Sequence, residues 1–550
     1  MTTLHGPPLA EHPGIGALTL GAFLDEVGGR FATNEALVFD DPLGDSATTR
    51  WSYADLRREA RAVARALLAA GVQRGDRVGV LMGSRPEAVA ALFGAAMAGA
   101  LAVPLSTFAP GPELAFMLRE AEVSVVLTQA RMLGRRYAED VAALQADLPR
   151  LREVAAVGER SWDELLAAGE AVDEAAVDAR IAETGPSDPA LVLFSSGTTS
   201  TPKGMVHTSR APTLQFWVQA QIFRRHEATR LWTALPMFWT AGLNTAMGST
   251  LAAGGCWVMQ ETFEPGEALA LMARERVTEP YCLPHQTAAL EEHPDWATTD
   301  LSSLRCVFGK SAFARHPSVH GDTTWNMPVG YGLSETCAFF VAHPSDTPRE
   351  LLRASMGRLL PGNRLRVVDP ADGRVLGPGE EGELAIAGPT LMAHYLGREP
   401  EECFDDDGFF HTGDAGFVDD DGYVHFTGRR TEMIKTGGAN VSPAELEVAL
   451  RACPPVKLSR IVGLPDPRLD QIVVACITLK DGADATEAEI QAFLRGRVAS
   501  YKVPKRVLFF AEGEIPMTAS DTKVRDADLV ALATDRLAEA TPVPSTSGDR

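Results

Sequence analysis

The stretch LVLFSSGTTSTPKGMVHTSR, residues 191–210, ends an apolar run abruptly in small hydroxyl residues, a glycine and a lysine. Residues 191–194 read as a buried strand. Ser195, Ser196, Thr198, Thr199, Ser200 and Thr201 around Gly197 then offer hydroxyls and backbone N–H groups, with Lys203 as a cation. Such a loop suits a polyphosphate. The Walker pattern G-x-x-x-x-G-K-[ST] is excluded, because Pro202 stands where its second glycine belongs and Gly204 follows the lysine. By composition alone the same stretch also describes a Ser/Thr-rich surface loop.

Outward from this loop, strand and helix patterns alternate to about residue 310, which predicts a doubly covered, mostly parallel sheet in an α/β fold. Residues 1–16, rich in Pro, Gly and His, are expected to be loosely ordered. Ser52 and Asp55 resemble a capping box, and Leu56, Ala60, Val63 and Leu67 recur at helical spacing until Gly71 stops the helix. Residues 77–82 read as a buried strand. Residues 88–103 lack any polar side chain but fall short of the roughly 20 residues that a membrane span needs and are cut by Gly94, Gly99 and Pro104, so they predict a buried helix and a strand. From about residue 350, Gly, Pro and Asp punctuate short strands at 363–368, 383–387 and 423–426, a smaller β subdomain. Beyond Arg429 comes an α+β stretch with a helix at 443–451, a strand at 471–479 and a helix at 486–498. These patterns divide the chain into an N-terminal domain (1–428), a small C-terminal domain (429–540) and a disordered tail (541–550).

The 550 residues are too many for one core. A formal net charge of -22 argues against duplex nucleic acid or an anionic membrane as partner and favours an enzyme whose anionic ligand is met locally. The seven cysteines are scattered without C-x-x-C spacing, which suggests neither a disulfide framework nor a zinc site and fits a reducing cytoplasm. The first residues show no secretory signal pattern.

Four further motifs carry chemistry. In GYGLSET, residues 330–336, Tyr331 beside Gly330 and Gly332 can stack on a flat ring, and Glu335 offers a hard oxygen for Mg²⁺. In residues 411–429, Asp414 can accept hydrogen bonds from both hydroxyls of a ribose while Arg429 donates to the same sugar. In KTGGANVSPAELE, residues 435–447, Gly437 and Gly438 allow close backbone approach by an extended ligand, and Ser442 with Glu445 resembles a helix N-cap box. In IPMTASDTK, residues 515–523, Lys523 can bridge a carboxylate oxygen and an α-phosphate as charge develops.

Together these motifs, spread over nearly the whole chain, resemble those of the adenylate-forming superfamily, in particular its acyl-CoA synthetases. The resemblance implies a small C-terminal domain that rotates about residues 429–431. It carries ATP binding onto Ser195, Ser196, Gly197, Thr198, Thr199, Lys203, Gly330, Tyr331, Gly332, Ser334, Thr336, Asp414 and Arg429, with Tyr331 on adenine and Asp414 and Arg429 on ribose. Glu335, with Thr198 and Thr336 nearby, would place Mg²⁺ and phosphate oxygens. Lys523 and Lys435 join Glu335 and Thr198 as catalytic residues, and Gly437 and Gly438 would face the pantetheine of CoA. The implied reaction has two steps: a fatty or aryl acid attacks the α-phosphate of Mg-ATP to give an acyl-adenylate and pyrophosphate, then CoA displaces AMP.

Some residues depart from the family pattern. Trp239 replaces the usual histidine in LPMFWTAGLN and is expected to fill or gate the acid pocket; Gly309, Lys310 and Ser311 replace the usual Gly-Gly-Ala turn. A pocket-facing Lys310 would favour a second anionic or polar group on the substrate; a solvent-facing one carries no meaning. The lysine motif lacks its usual glycine, and Lys523 lies one residue further from Pro516. Left open are a free carrier protein or an amine as acceptor, an inorganic oxyacid such as nitrite as substrate, a catalytically impaired nucleotide-binding homologue, and a homodimeric state.

Overall fold

The computed structural model describes residues 3–43, 47–195, 202–309, 311–322, 324–429, 433–436, 439–466, 469–495, 497–498, 502–517 and 524–540. The alternating half of the chain makes two sheets. A seven-stranded sheet runs in the order His394–Tyr395, Lys203–Thr208, Pro189–Ser195, Leu101–Pro104, Arg77–Leu81, Val125–Gln129, Glu153–Val157. Its last five strands are parallel; the first two pair antiparallel. A five-stranded sheet of Glu279–Pro280, Arg230–Thr233, Cys256–Met259, Glu35–Asp40 and Thr48–Ser52 is parallel except at its last pair. Helices pack against these sheets, so the central strands Leu101–Pro104, Val125–Gln129 and Cys256–Met259 are buried along their whole length, whereas the edge strand Thr48–Ser52 is not.

The expected capping box holds. Ser52 accepts from the Asp55 N–H while Asp55 accepts from the Ser52 N–H, opening helix Tyr53–Ala69. Leu56, Ala60, Val63 and Leu67 are its buried stripe. The apolar run becomes helix Pro86–Met97 and strand Leu101–Pro104. It lies inside because it packs against Tyr53–Ala69 at close range: a Cβ on Gly94 would sit 2.8 Å from the Val63 Cβ and from the Ala60 carbonyl oxygen. Among the described residues no helix is long and apolar enough to cross a membrane.

The β subdomain contains an antiparallel sheet of Leu4–His5, Arg364–Val368, Gly382–Ala387, Phe410–Val418 and Val424–Arg429, and a three-stranded sheet of Val329–Leu333, Ala338–His343 and Arg358–Leu359. This corrects the expectation of a loose N-terminus. Leu4 and His5 pair with Leu365 and Arg364, the Gly6 N–H donates to the Asn363 carbonyl at 2.8 Å, and Leu4 joins the subdomain core.

In the C-terminal part, Ala439–Val441, Ile434–Thr436, Asp470–Leu479, Val456–Asp466 and Arg506–Phe509 form one sheet. Pro443–Leu450 and Glu487–Arg495 cover one face, Asp526–Ala540 the other. Ser442 caps Pro443–Leu450 by accepting from the Glu445 N–H, but the capping box is only half made. The Glu445 carboxylate takes the Lys502 ammonium at 2.6 and 2.8 Å instead of returning to the cap. The tail 541–550 and the hinge positions 430–432 lie outside the described residues.

Candidate active site

Three of the sequence motifs meet at one place, where the antiparallel edge of the seven-stranded sheet faces the β subdomain. Lys203 pairs with Ser195 across the mouth of the hydroxyl-rich loop, and its side chain is exposed. The Lys203 ammonium lies 5.7 Å from the Tyr395 ring centre, and the Tyr395 hydroxyl donates to Glu335 Oε1 at 2.7 Å. Four residues before Glu335, Tyr331 donates its hydroxyl to Asp414 Oδ2 at 2.7 Å. Asp414 is opposite Arg429 in the strand pair Phe410–Val418 with Val424–Arg429, and Arg429 Nε lies 3.3 Å from Oδ1.

Local sequence explains each placement. Gly330 and Gly332 are required by hairpin packing, since a Cβ there would meet the Val341 carbonyl oxygen at 2.5 Å and press into that of Ala338. A bulge between Tyr331 and Gly332 aims the tyrosine inward. Gly413, at φ +73°, sits at an irregular step inside strand Phe410–Val418 just before Asp414; the Gly413 N–H donates to Glu383 at 2.9 Å and the Asp414 N–H to Thr412 Oγ1 at 3.0 Å.

Asp414 is 1 % exposed, and among the described residues its Oδ1 meets the Arg429 guanidinium, 3.3 Å away. Burial raises its carboxyl above the usual range, with Glu335 adding to that and Tyr331 and Arg429 opposing. A carboxylate oxygen has two lone pairs, so Oδ1 can accept a further donor beside that guanidinium. Tyr331 is 7 % exposed and stacks on Phe426, ring centres 5.6 Å apart, so one of its faces is already covered. Burial, then Asp414, raises its phenol far above the ordinary value, so it remains a donor.

Thr336 departs from expectation. It is fully buried and its hydroxyl is engaged inside the turn with the Leu333 N–H and the Leu333 and Ala338 carbonyls, which shapes the Ser334–Thr336 turn and leaves nothing for phosphate. Ser311 likewise donates to its own turn, at the Phe308 carbonyl, 2.6 Å. The cation seen at that turn is Arg349, held by Asn326 and 2.8 Å from where a Gly309 Cβ would stand. Lys435 is exposed on the C-terminal sheet, where its N–H donates to Gln471 at 2.9 Å. Ser196, Gly197, Thr198, Thr199, Lys310, Gly437, Gly438 and Lys523 lie outside the described residues, as does the side chain of Ser195.

Trp239 packs edge-on against Phe238 and Phe108 at 5.9 and 6.2 Å, and Phe108 meets Phe238 at 5.4 Å. Directly after it, Ala241–Gly248 is a π-helix, a form common at functional sites. From that helix the Asn244 amide donates to the carbonyl of Cys337, whose φ of +60° is left-handed. The aromatic wall is thereby tied to the turn that carries Glu335.

Sequence reasoning passed over Tyr395, His207, Phe108 and Arg349. Tyr395 acquires meaning only through pairing of His394–Tyr395 with Val206 and Met205. His207 is fully buried against the backbone of Ser334, and burial pulls its pKa down to about 4 while that backbone opposes the shift.

This chain belongs to the AMP-binding enzyme family, whose pattern matches residues 24–396, with the AMP-binding enzyme C-terminal domain matching 445–522. Within that family it is an AMP-forming acyl-CoA synthetase of α/β fold: it adenylates an acid with ATP and then makes a CoA thioester. It is 34% identical over 480 residues to a feruloyl-CoA synthase of Amycolatopsis sp, covering 86% of this chain and 92% of the relative. It is 33% identical over 491 residues to an indoleacetate–CoA ligase of Aromatoleum aromaticum, covering 87% and 92%. Among solved structures, ATP-bound MatB from Rhodopseudomonas palustris aligns with a TM-score of 0.77 at 28% identity, covering 94% of this chain and 99% of that one.

Proposed function

We propose that this ligase activates an aromatic or arylalkyl carboxylic acid with Mg-ATP and passes the acyl group to CoA in the cytoplasm. The observation that carries the aromatic assignment is the edge-to-face trio of Phe108, Phe238 and Trp239 beside the π-helix. Such a wall favours a flat ring over a flexible alkyl chain, because ring edges and faces attract while a chain must give up rotamer freedom. The feruloyl and indoleacetyl substrates in the relatives' names support the same class.

In this reading Asp414 Oδ1 accepts a ribose hydroxyl while Tyr331 and Arg429 hold the carboxylate in place. Glu335 is the residue suited to hold Mg²⁺, since Tyr395 occupies only one of its oxygens; the ion would neutralise phosphate charge. Lys203 places a cation at the phosphate loop. The acid oxygen attacks the α-phosphorus as the bond to pyrophosphate breaks, and Lys523 spreads the charge. No side-chain nucleophile is needed, because position and charge neutralisation supply the rate. The domain beginning at Arg429 then turns, and Gly437, Gly438 and Lys435 meet CoA, whose sulfur attacks the acyl carbon and expels AMP.

A competition assay tests the substrate class. Equimolar hydroxycinnamate, indoleacetate, octanoate and palmitate are offered with Mg-ATP and CoA, and thioesters are quantified by mass spectrometry. Aryl thioesters are expected to dominate; a palmitoyl or octanoyl majority would overturn the assignment.

A further inference from the structure

We propose that Tyr395 is a positioning residue that fixes the Glu335 carboxylate for a divalent cation and links it to the Lys203 ammonium; this rests on the reading of Glu335 given above. The phenol donates to Oε1 at 2.7 Å. One hydrogen is all it has, so the second carboxylate oxygen stays available. The tyrosine itself is stitched into place from both sides. Its strand pairs with Lys203–Thr208 in the register Tyr395↔Met205, the Leu396 N–H donates to the Gly204 carbonyl at 2.8 Å, and the Met392 N–H donates to the Glu335 carbonyl at 2.7 Å.

Two cations face the same ring, Lys203 at 5.7 Å and Arg398 at 5.8 Å from its centre. Both draw on the π-electrons and strengthen the hydroxyl as a donor. Glu335 stands on a turn of only three residues and is half-buried, so without the hydroxyl its carboxylate regains rotamers that point away from the cation.

The test uses four proteins: wild type, Tyr395→Phe, Glu335→Gln and the double variant. Mn²⁺ binding in the presence of a non-hydrolysable ATP analogue is followed by electron paramagnetic resonance, and the Mg²⁺ dependence of pyrophosphate release is measured alongside. Tyr395→Phe is expected to weaken Mn²⁺ binding by roughly tenfold, the size of one hydrogen bond to a charged group, and to alter the rate at saturating Mg²⁺ far less. In the Glu335→Gln background the same change is expected to add nothing. An unchanged Mn²⁺ affinity in Tyr395→Phe, with Glu335→Gln impaired, would overturn the role of Tyr395 alone. Wild-type Mn²⁺ binding by Glu335→Gln would overturn the reading of the site beneath it.

Discussion

Asp414 and Glu335 each accept a tyrosine hydroxyl at 2.7 Å, from Tyr331 and Tyr395 respectively. Asp414 is 1 % exposed and faces a guanidinium at 3.3 Å, whereas Glu335 is half-buried on a short turn with an ammonium beyond its tyrosine. A carboxylate that deep is suited to neutral hydroxyl donors, which carry no shell of tightly held water to be stripped. A carboxylate with one oxygen left near the surface is suited to a hydrated divalent ion, which keeps several of its waters. On the proposed reading the same phenol–carboxylate pair serves sugar recognition at one end of the site and charge neutralisation at the other, and burial decides which.

The most drastic way to break the comparison is Asp414→Ala. It removes the buried acceptor and leaves the Tyr331 hydroxyl and Arg429 unpartnered. We expect kcat/KM for ATP to fall by at least about 100-fold, since hydrogen bonds to a charged group contribute roughly 1.5–3 kcal/mol each. Steady-state kinetics checks this; a change under tenfold would separate Asp414 from the ribose.

Next in size is a pH effect beneath the Glu335 turn. His207 in the folded protein has its pKa lowered from 6.5 to about 4. Between those values the unfolded chain binds a proton that the folded chain refuses, so stability is complete above the ordinary histidine pKa and lost as pH falls toward 4. The expected loss is ~3 kcal/mol. Urea denaturation across that window should show a steep acid limb in wild type and a flatter one in His207→Leu; parallel limbs would contradict the account.

Tyr331→Phe sharpens the contrast with Tyr395→Phe. It should raise the KM for ATP about tenfold while leaving the Mg²⁺ midpoint where it was, the reverse of the pattern expected for Tyr395. Equal effects of the two substitutions on metal and nucleotide would mean that the two carboxylates do not divide the work. Smallest, Trp239→Ala should leave ATP kinetics alone and relax the preference for aryl over alkyl acids several-fold, read from the competition assay.

The motifs were legible because each packs distinctive residue types into a short spacing, and the structure brings Glu335, Tyr331, Asp414 and Arg429 together. The helix Tyr53–Ala69 was legible through its cap and apolar stripe. What escaped depends on partners far along the chain. Tyr395 is unremarkable in HYLG until strand pairing puts it beside residues 203–206. Thr336 looked like a phosphate ligand because a hydroxyl beside an acid suits one, yet the turn needed that hydroxyl first. Residues 1–16 looked loose because Pro, Gly and His weaken any local signal, while an edge strand 360 or so residues later offers backbone partners that no local pattern announces.

The most direct test of the account is a product balance with one aromatic acid, Mg-ATP and CoA. The account predicts AMP, pyrophosphate and aryl-CoA in equal amounts, none formed when the acid is omitted, and aryl-AMP accumulating when only CoA is omitted. Pyrophosphate without thioester, or ADP in place of AMP, would contradict it.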